Sequence, residues 1–364
     1  MTWKGYVLKE VTVVFLCAFI FVSSSISNSA TECLPIPPKL GRTVAAVSSN
    51  LRTMFQDRSG DYWFGSDSEG AFRYDGETLT QFTTKEGLPG NQVGGIQEDK
   101  QGNLFFVTPG GISRFDGKRF TTLKPVTMDA PDKGWRLHPD DLWFAHGSKD
   151  GGPSRYDGKT LYQLRFPKHH LEEAKLALKP VSSMYAIYTI YKDKRGHLWF
   201  GTADAGLCRY DGKTINWLYE DHLTNTPHGG SFGIRSIIED RDGKLWICNT
   251  TSRFAVSPSN RSTHGLIDYR AEAGIRNMKA IVGGETLYFQ SVVQGKEGDL
   301  WMMPWGGGIF RYDGQKVAHY PVKNGSEDAL MSQIYKDRNG ELWIASQTGG
   351  PYKFNGVSFE KFVP

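Results

Sequence analysis

The sequence contains few cysteines and no long hydrophobic segment. Only four of the 364 residues are cysteine, so a disulfide framework does not hold the fold together. The apolar stretch from Val11 to Val22 is well short of the roughly 20 residues that a helix needs to span a bilayer. A small disulfide-rich scaffold and a polytopic helical membrane protein are therefore both excluded.

The sequence also has no large excess of positive or negative charge, and it lacks the common catalytic motifs. The formal net charge is only +4, and neither a long basic stripe nor an acidic tail is present, which argues against a nucleic-acid partner. We find no phosphate-binding loop, no Gly-x-Ser-x-Gly serine and no Cys/His arrangement with zinc spacing. The sequence therefore predicts no metal and no cofactor.

The first 30 residues have the layout of an export signal. Lys4 and Lys9 precede the apolar stretch, and small residues follow it up to Ala30, which is typical of a cleaved secretory signal peptide. An uncleaved signal anchor is the alternative. In either case we expect residues 31–46 to form a lead-in segment and residues 47–364 to fold outside the cytoplasm, in the periplasm or after secretion.

Residues 47–364 contain seven variant copies of one sequence repeat. Each copy begins with an apolar stretch that ends near an acid, continues through a glycine turn to a segment that contains Trp, and closes on aromatic-Asp-Gly. The clearest copies run from Met54 to Phe82, Ile96 to Phe120, Ile190 to Leu218 and Ile334 to Phe362. Self-similarity at a period of about 40 to 50 residues indicates stacked supersecondary units.

The repeated unit is all-β. Its apolar segments are short, aromatic and β-branched, and the Asp-Gly pairs between them favour tight hairpin turns. Four short strands per unit, taken seven times, predict a seven-bladed β-propeller of four-stranded antiparallel blades, which we expect to be monomeric. In the third copy, residues Leu137 to Asp140 replace the acid-x-x-Gly turn, so we expect its innermost strand to be short or irregular.

The acids that recur in the copies favour turn formation over metal binding or catalysis. Each acid of the acid-x-x-Gly turn lies three residues before a glycine, where Asp caps a β-turn, and the spacing does not match a calcium loop. These acids are Asp57, Asp99, Asp193, Asp240 and Asp337. We expect the basic residue two places before each aromatic-Asp-Gly aspartate to stack on an aromatic ring or to pair with a neighbouring blade.

The functional residues are expected where the blades differ. In a four-stranded meander the first and third turns lie at one end, and the second turn and the link to the next blade lie at the other. The uniform turns therefore occupy one face (the structural-turn face), and the irregular loops occupy the opposite one (the variable-loop face). Loops on a rigid scaffold usually carry binding residues. The candidates on the variable-loop face are Trp305, His146, Asp204, Asp67, Glu69, Lys149, Gln347 and His222.

Two of these candidates separate the possible function classes. Trp305 is additional to the repeat tryptophan Trp301, and we interpret it as an exposed stacking platform, although Trp is also an ordinary packing residue. A histidine near a carboxylate at the channel mouth, such as His146 near Asp204, would instead indicate a lyase or hydrolase. A broad exposed apolar patch would indicate an assembly scaffold.

The repeats resemble a known family. The segments Glu239 to Ile247 and Trp199 to Asp211 are similar to the two-component regulator propeller repeat, which builds extracytoplasmic sensor domains of bacterial hybrid histidine kinases, many of them implicated in recognising glycans. The resemblance implies a fold and a sensor-like role, with no catalytic set. The repeats also resemble, more distantly, those of streptogramin lyase and of propeller polysaccharide lyases, which use a histidine and nearby polar groups on the loop face.

The leading hypothesis is a binding module rather than an enzyme. It would recognise a small molecule, a glycan or a protein on the variable-loop face, and, because this sequence contains no kinase, it would pass its bound state to a separate membrane signalling partner. The alternative is a secreted lyase or hydrolase that acts on a glycan or a cyclic ester. The fold alone does not decide between them.

Overall fold

A computed structural model describes residues 40–128, 130, 133–145, 151–169, 184–225, 232–257, 265–276, 278–284 and 286–364. Seven small sheets follow one another along this part of the chain, each built mainly from strands that are consecutive in sequence. The first strands of six blades neighbour one another, and those of blades 1, 2, 4 and 7 line a central channel. The seven-bladed β-propeller predicted from the repeats is confirmed.

The strands form seven blades and one extra hairpin. Blade 1 contains β1 (Arg42–Thr43), β2 (Leu51–Gln56), β3 (Tyr62–Ser66), β4 (Ala71–Tyr74) and β5 (Leu79–Phe82). Blade 2 contains β6 (Gly95–Glu98), β7 (Leu104–Thr108), β8 (Gly111–Phe115) and β9 (Phe120–Thr122). Blade 3 contains β10 (Pro125–Thr127), β11 (Leu142–Phe144), β12 (Ser154–Tyr156) and β13 (Leu161–Gln163). Blade 4 contains β14 (Ile187–Lys192), β15 (Leu198–Thr202), β16 (Leu207–Tyr210) and β17 (Ile215–Leu218).

The remaining blades follow the same order. Blade 5 contains β18 (Ile237–Glu239), β19 (Leu245–Ile247), β20 (Ser252–Val256) and β21 (Tyr269–Ala273). Blade 6 contains β22 (Ser291–Gln294), β23 (Leu300–Met303), β24 (Ile309–Tyr312) and β25 (Val317–Tyr320). The hairpin is β26 (Lys323–Asn324) and β27 (Glu327–Asp328), and blade 7 contains β28 (Met331–Lys336), β29 (Leu342–Ser346), β30 (Tyr352–Phe354) and β31 (Phe359–Lys361).

Helix is confined to two single turns in the described part of the chain. They are α1 (Asp221–Thr224) and α2 (Lys279–Val282), and no described helix has the length and hydropathy of a membrane span. The predicted signal peptide, residues 1–30, lies outside the described residues. Of the predicted lead-in, residues 31–46, the described part supplies β1, which pairs antiparallel with the outer strand β5.

The acid of the first turn does more than cap that turn. In blade 1, Asp57 Oδ1 accepts the backbone N–H groups of Ser59 and Asp61 at 2.9 and 3.1 Å, as expected for a turn cap. Asp57 Oδ2 accepts the indole N–H of the buried Trp63 at 2.8 Å, a contact that the repeat pattern does not reveal. One carboxylate thus closes the hairpin and satisfies a buried donor. The same indole contact recurs in blades 4, 5 and 7, at Asp193–Trp199, Asp240–Trp246 and Asp337–Trp343.

The basic residue of the third strand stacks on the repeat tryptophan of its own blade. The Arg73 guanidinium carbon lies 6.0 Å from the centroid of the Trp63 ring, and Lys353 Nζ lies 5.1 Å from that of Trp343. Antiparallel pairing places Arg73 directly opposite Trp63, which explains why the partner belongs to the same blade. The predicted stacking is confirmed at these positions.

Side chains of the first strands join neighbouring blades and close the ring. Between blades 7 and 1, Gln333 Oε1 accepts the backbone N–H of Met54 at 2.8 Å, and the Tyr335 hydroxyl accepts that of Gln56 at 2.9 Å. These bonds satisfy backbone groups of β2 on the side that has no neighbouring strand. Each of the two blades is formed by one continuous segment, so the ring closes through these contacts rather than through a shared strand.

Blade 3 departs from this plan, as its sequence predicts. Residues 133–141 contain no strand, and β11 is the innermost strand of the blade among the described residues. The fourth strand, β10, adds to the outer edge and runs parallel to β13. The physical reason is the missing acid-x-x-Gly turn, because without it no hairpin directs the chain from a first strand into the second. At blade 3 the described residues therefore place no first strand in the channel wall.

The core also agrees with the scarcity of cysteine. Cys208 and Cys248 are both buried free thiols, which is the ordinary interpretation of two isolated cysteines on neighbouring blades. Aromatic rings fill the space between blades instead. For example, Trp63 of blade 1 lies 5.4 Å from Phe106 and 5.8 Å from Phe115, both of blade 2, measured between ring centroids.

Candidate functional site

A cavity of about 430 Å³ occupies the central channel. It is lined by the first strands of blades 1, 2, 4 and 7, together with Trp143 and Ala145 of blade 3. Each first strand runs from the variable-loop face to the turn acid on the structural-turn face. Tyr188, near the start of β14, therefore lies at the variable-loop mouth of the channel.

Two exposed aromatic rings share one guanidinium at this mouth. Trp305 is 57% exposed and Tyr188 is 43% exposed. The Arg235 guanidinium carbon lies 4.4 Å from the centroid of the Tyr188 ring and 5.5 Å from that of Trp305. Blade 4 supplies Tyr188, the segment before β18 supplies Arg235, and the second-turn loop of blade 6 supplies Trp305. Cation–π attraction thus joins three residues that are far apart in sequence.

Arg235 is held in place but keeps most of its donors. Its Nε–H donates to the backbone oxygen of Phe232 at 2.9 Å, and the Phe232 ring also lies 5.6 Å from the guanidinium carbon. Phe232 packs in turn against Tyr288, with ring centroids 5.5 Å apart. Among the described residues no carboxylate forms an ion pair with Arg235. Because a guanidinium has five N–H donors, it can still bind an acceptor or an anion.

Two of the predicted acids, Asp67 and Glu69, accept hydrogen bonds that stabilise the loops of blade 1. Asp67 Oδ1 accepts hydrogen bonds from Gln92 at 3.0 Å and from Arg52 at 2.5 Å. The hydrogen bond from Gln92, followed by that from Arg52, holds the pKa of Asp67 below its usual value. Glu69 Oε1 accepts the hydroxyl of Ser48 at 2.5 Å. Neither carboxylate belongs to the group around Arg235.

The other predicted residues are spread around the same face. Gln347 is exposed beside the second turn of blade 7, and Asp204 is half-buried in the corresponding turn of blade 4. The His222 ring lies nearly parallel to Phe254 of blade 5, with centroids 6.4 Å apart. His146 and Lys149 lie outside the described residues, so the pairing of a histidine with Asp204 stays a prediction.

Sequence reasoning selected Trp305 but missed its two partners. Tyr188 and Arg235 lie at the loop ends of the first strands of two consecutive blades, a position that the repeat pattern treats as structural. The available signal was Tyr188 itself, an aromatic residue at the end of a first strand that opens on the channel mouth. Arg235 carried no comparable signal, because only the folded ring shows its distance from both rings.

A larger cavity, of about 1010 Å³, lies between blades 6 and 7 on the structural-turn face. Several of its charged side chains already pair with one another. Lys296 Nζ lies 3.3 Å from Glu341 Oε1, and Arg311 Nε lies 2.5 Å from Asp299 Oδ2. We favour the channel mouth as the candidate site because Arg235 has no such partner among the described residues. Within the same part of the chain, no group of three His, Cys, Asp or Glu side chains is placed to hold a metal.

A family model described as the two component regulator propeller matches residues 181–204. This stretch is similar to a two-component regulator propeller repeat. The matched repeat contains β14 and β15, and with them Tyr188, the turn acid Asp193 and its indole partner Trp199. Most of these matched residues build the blade. Tyr188 also lies within the matched segment, at the channel mouth.

One curated relative is a kinase that is much longer than this chain. Histidine kinase P4 of Formosa agariphila is 26% identical over 183 residues, which cover 47% of this chain and 12% of that protein. The chain thus matches a small part of a histidine kinase.

Solved structures with a similar fold include an extracellular domain of a two-component system and a lyase. The extracellular domain of a Bacteroides thetaiotaomicron protein, assigned as a hybrid two-component system, aligns with a TM-score of 0.57 and 17% identity over 87% of this chain and 41% of that one. Virginiamycin B lyase of Staphylococcus aureus aligns with a TM-score of 0.58 and 15% identity over 86% of this chain and 97% of the lyase. At these identities the likeness establishes the propeller fold alone.

Proposed function

We propose that this protein is a sensor-like propeller module that binds a ring-bearing ligand at the variable-loop mouth of its channel. The observation that carries the proposal is the group of Tyr188, Arg235 and Trp305, in which two exposed rings from different blades lie within 5.5 Å of one guanidinium. Exposure of aromatic rings to water is normally unfavourable. Their convergence around a cation that has no acid partner among the described residues therefore favours a binding role.

The chemistry of this group defines the class of ligand. The face of Trp305 or Tyr188 can pack against the C–H face of a sugar or against another flat ring. Arg235 can donate to a carboxylate, a sulfate or a carbonyl on the same ligand. A glycan or small molecule that carries a ring and an acceptor group fits both requirements, and the neighbouring cavity gives it room.

The proposed setting is outside the cytoplasm. It is supported by the apolar segment near the N-terminus and by the extracellular location of the similar domain from Bacteroides thetaiotaomicron. In this setting the module acts as a monomer, and it transmits its bound state to a separate membrane signalling partner. The similarity of 183 residues to part of Histidine kinase P4 supports this signalling role.

The proposal is tested by ligand screening with matched variants. The full-length protein is screened by thermal unfolding against neutral and acidic oligosaccharides, and mass spectrometry follows each ligand for turnover. A ligand present at 100 times its dissociation constant adds about 2.7 kcal/mol to the free energy of unfolding. We expect such a ligand to bind at least tenfold more weakly to Trp305→Ala and to Arg235→Met, by the usual cost of losing an interface anchor.

The control is Val357→Ala, which truncates a side chain that is 80% exposed on the structural-turn face. Its affinity for the ligand should equal that of the wild type. If ligands bind but neither channel-mouth variant changes the affinity, the site is wrong. If the ligand is converted to product, the lyase or hydrolase alternative replaces the binding module.

A further inference from the structure

The channel contains a slot at blade 3, where the described residues include no first strand. Two cavities, of about 430 and 260 Å³, meet there, and both are lined by Gln97, Trp143 and Ile190. Gln97 belongs to β6 of blade 2, Ile190 to β14 of blade 4 and Trp143 to β11 of blade 3. In the other blades the corresponding position holds a strand of three to six residues, such as β18 and β2.

The inner edge of β11 carries backbone groups that lack a strand partner. In blade 4, the turn bond from the Asp193 N–H to the His197 oxygen fixes the ladder, so that the backbone groups of Trp199 face the first strand. Trp143 is the corresponding residue of blade 3, and it is paired on its other side with β12 in the same register. Its N–H and C=O therefore face the slot.

Two further observations show that the slot is polar where a strand is missing. Gln97 Nε2 donates to the Trp143 backbone oxygen at 2.7 Å, as a strand amide would. The Trp143 indole N–H is buried and has no hydrogen-bond acceptor among the described residues, and the side chain is only 6% exposed. In blades 1, 4, 5 and 7 the turn acid accepts this indole N–H.

We infer that this slot binds an extended peptide segment of a partner protein, which completes blade 3 as its first strand. The partner supplies backbone N–H and C=O groups at the two-residue spacing that the edge of β11 presents, and one of its carbonyl or side-chain oxygens accepts the Trp143 indole N–H. Gln97 gives up its bond to the Trp143 oxygen when a peptide N–H takes that place. This interaction goes beyond ligand binding at Arg235, and it uses the blade 3 side of the cavity that Tyr188 also lines.

A peptide fits the slot better than a sugar does. The open groups lie along one edge of a sheet, and they alternate with side chains that point to the two faces, which is the pattern that strand addition satisfies. Exposed sheet edges are otherwise covered or paired in folded proteins. Among the described residues, only the Gln97 side chain forms a hydrogen bond with the inner edge of β11.

The test uses the full-length protein and a synthetic hexapeptide that copies β28, residues 331–336, with a fluorescent label. In blade 7 the backbone groups of Gln333 and Tyr335 face β29, and those of Ile334 face away. We expect binding of the peptide, and we expect methylation of the nitrogen copied from Gln333 or Tyr335 to weaken it at least about tenfold. Methylation of the nitrogen copied from Ile334 should be tolerated.

Hydrogen exchange and a matched pair of variants provide a second readout. Peptide binding should slow exchange of the Trp143 and Ala145 amides, and Ala145→Pro should weaken binding while Ala145→Ser does not, because only proline removes the N–H. Absence of binding overturns the inference. Binding that is equally sensitive to methylation at all three positions also overturns it, because strand addition requires the alternation.

Discussion

The Gln97 side chain of blade 2 donates to the backbone oxygen of Trp143 in blade 3, at 2.7 Å. At the matching repeat position, Tyr335 and Tyr191 bond instead to the first strand of the next blade, by accepting the N–H of Gln56 and of Glu239. Because the described residues include no first strand in blade 3, the Gln97 side chain contacts the second strand instead. Its amide donates the hydrogen bond that the Trp143 carbonyl oxygen accepts.

Removing the hydrogen bond from Gln97 to the Trp143 oxygen should destabilise the propeller. Gln97→Leu keeps much of the side-chain volume but leaves the Trp143 oxygen without its donor, so we expect a loss of about 1–2 kcal/mol in the free energy of unfolding. Urea denaturation measures it. Gln101→Ala, at an exposed position of the neighbouring turn, should change stability by less than about 0.5 kcal/mol. Equal effects of the two variants would contradict the role assigned to Gln97.

Both side-chain oxygens of Asp57 should be required, not only the one that caps the turn. Asp57→Asn keeps one oxygen for the turn N–H groups, but its amide nitrogen then faces the Trp63 indole N–H, and two donors oppose each other. We expect a loss of about 2 kcal/mol, measured by urea denaturation at neutral pH. Asp75→Asn, in an exposed Asp-Gly turn without an indole partner, is the control and should destabilise the protein less than Asp57→Asn at that pH. A silent Asp57→Asn would rule out the indole bond as a stabilising contact.

The Asp-Gly turns should make stability fall at acid pH. Backbone N–H groups that donate to Asp75, Asp116 and Asp313 lower the pKa of each carboxyl below its usual value of 3.8. A lowered pKa in the folded state means that the stabilisation is complete above that usual value and is lost as the pH falls through the lower, folded-state pKa. In blade 7, Asn355 Oδ1 accepts two backbone N–H groups without a charge.

The variant that tests this carries Asp→Asn at all three turns. We expect its melting temperature to fall less than that of the wild type between about pH 6 and about pH 3, because asparagine does not titrate. Asn355→Asp is the reverse control and should increase the loss at acid pH. The interpretation fails if the triple variant and the wild type lose stability in parallel.

The two core thiols should be chemically silent in the folded protein. Burial raises the pKa of Cys208 well above its usual value and that of Cys248 to about 12. Because the thiolate is the reactive form, neither residue should be alkylated by iodoacetamide at about pH 8. Peptide mass spectrometry measures the modification at each site, and unfolding in guanidinium chloride should expose both. Rapid modification of either thiol in the native state would show that its blade opens.

The repeat pattern accounts for the blades far better than it accounts for the site. The spacing from Asp57 to Gly60 and the Tyr74-Asp75-Gly76 turn predict the hairpins, because local backbone conformation decides them. The irregular third copy predicts a short or irregular first strand for the same reason, and the described residues include no strand there at all. The indole contact of Asp57 could not be read from one copy, since it depends on how the hairpin folds back on itself.

What the sequence determined by itself is the architecture. Seven copies of a short-strand unit with fixed turn residues permit few arrangements other than a ring, because each small sheet must bury both faces against its neighbours. The tertiary structure alone decided which residues meet. Tyr188, Arg235 and Trp305 come from three separate segments, and Gln97 reaches Trp143 across the boundary between two blades. Ring closure fixes these distances, and no local pattern encodes them.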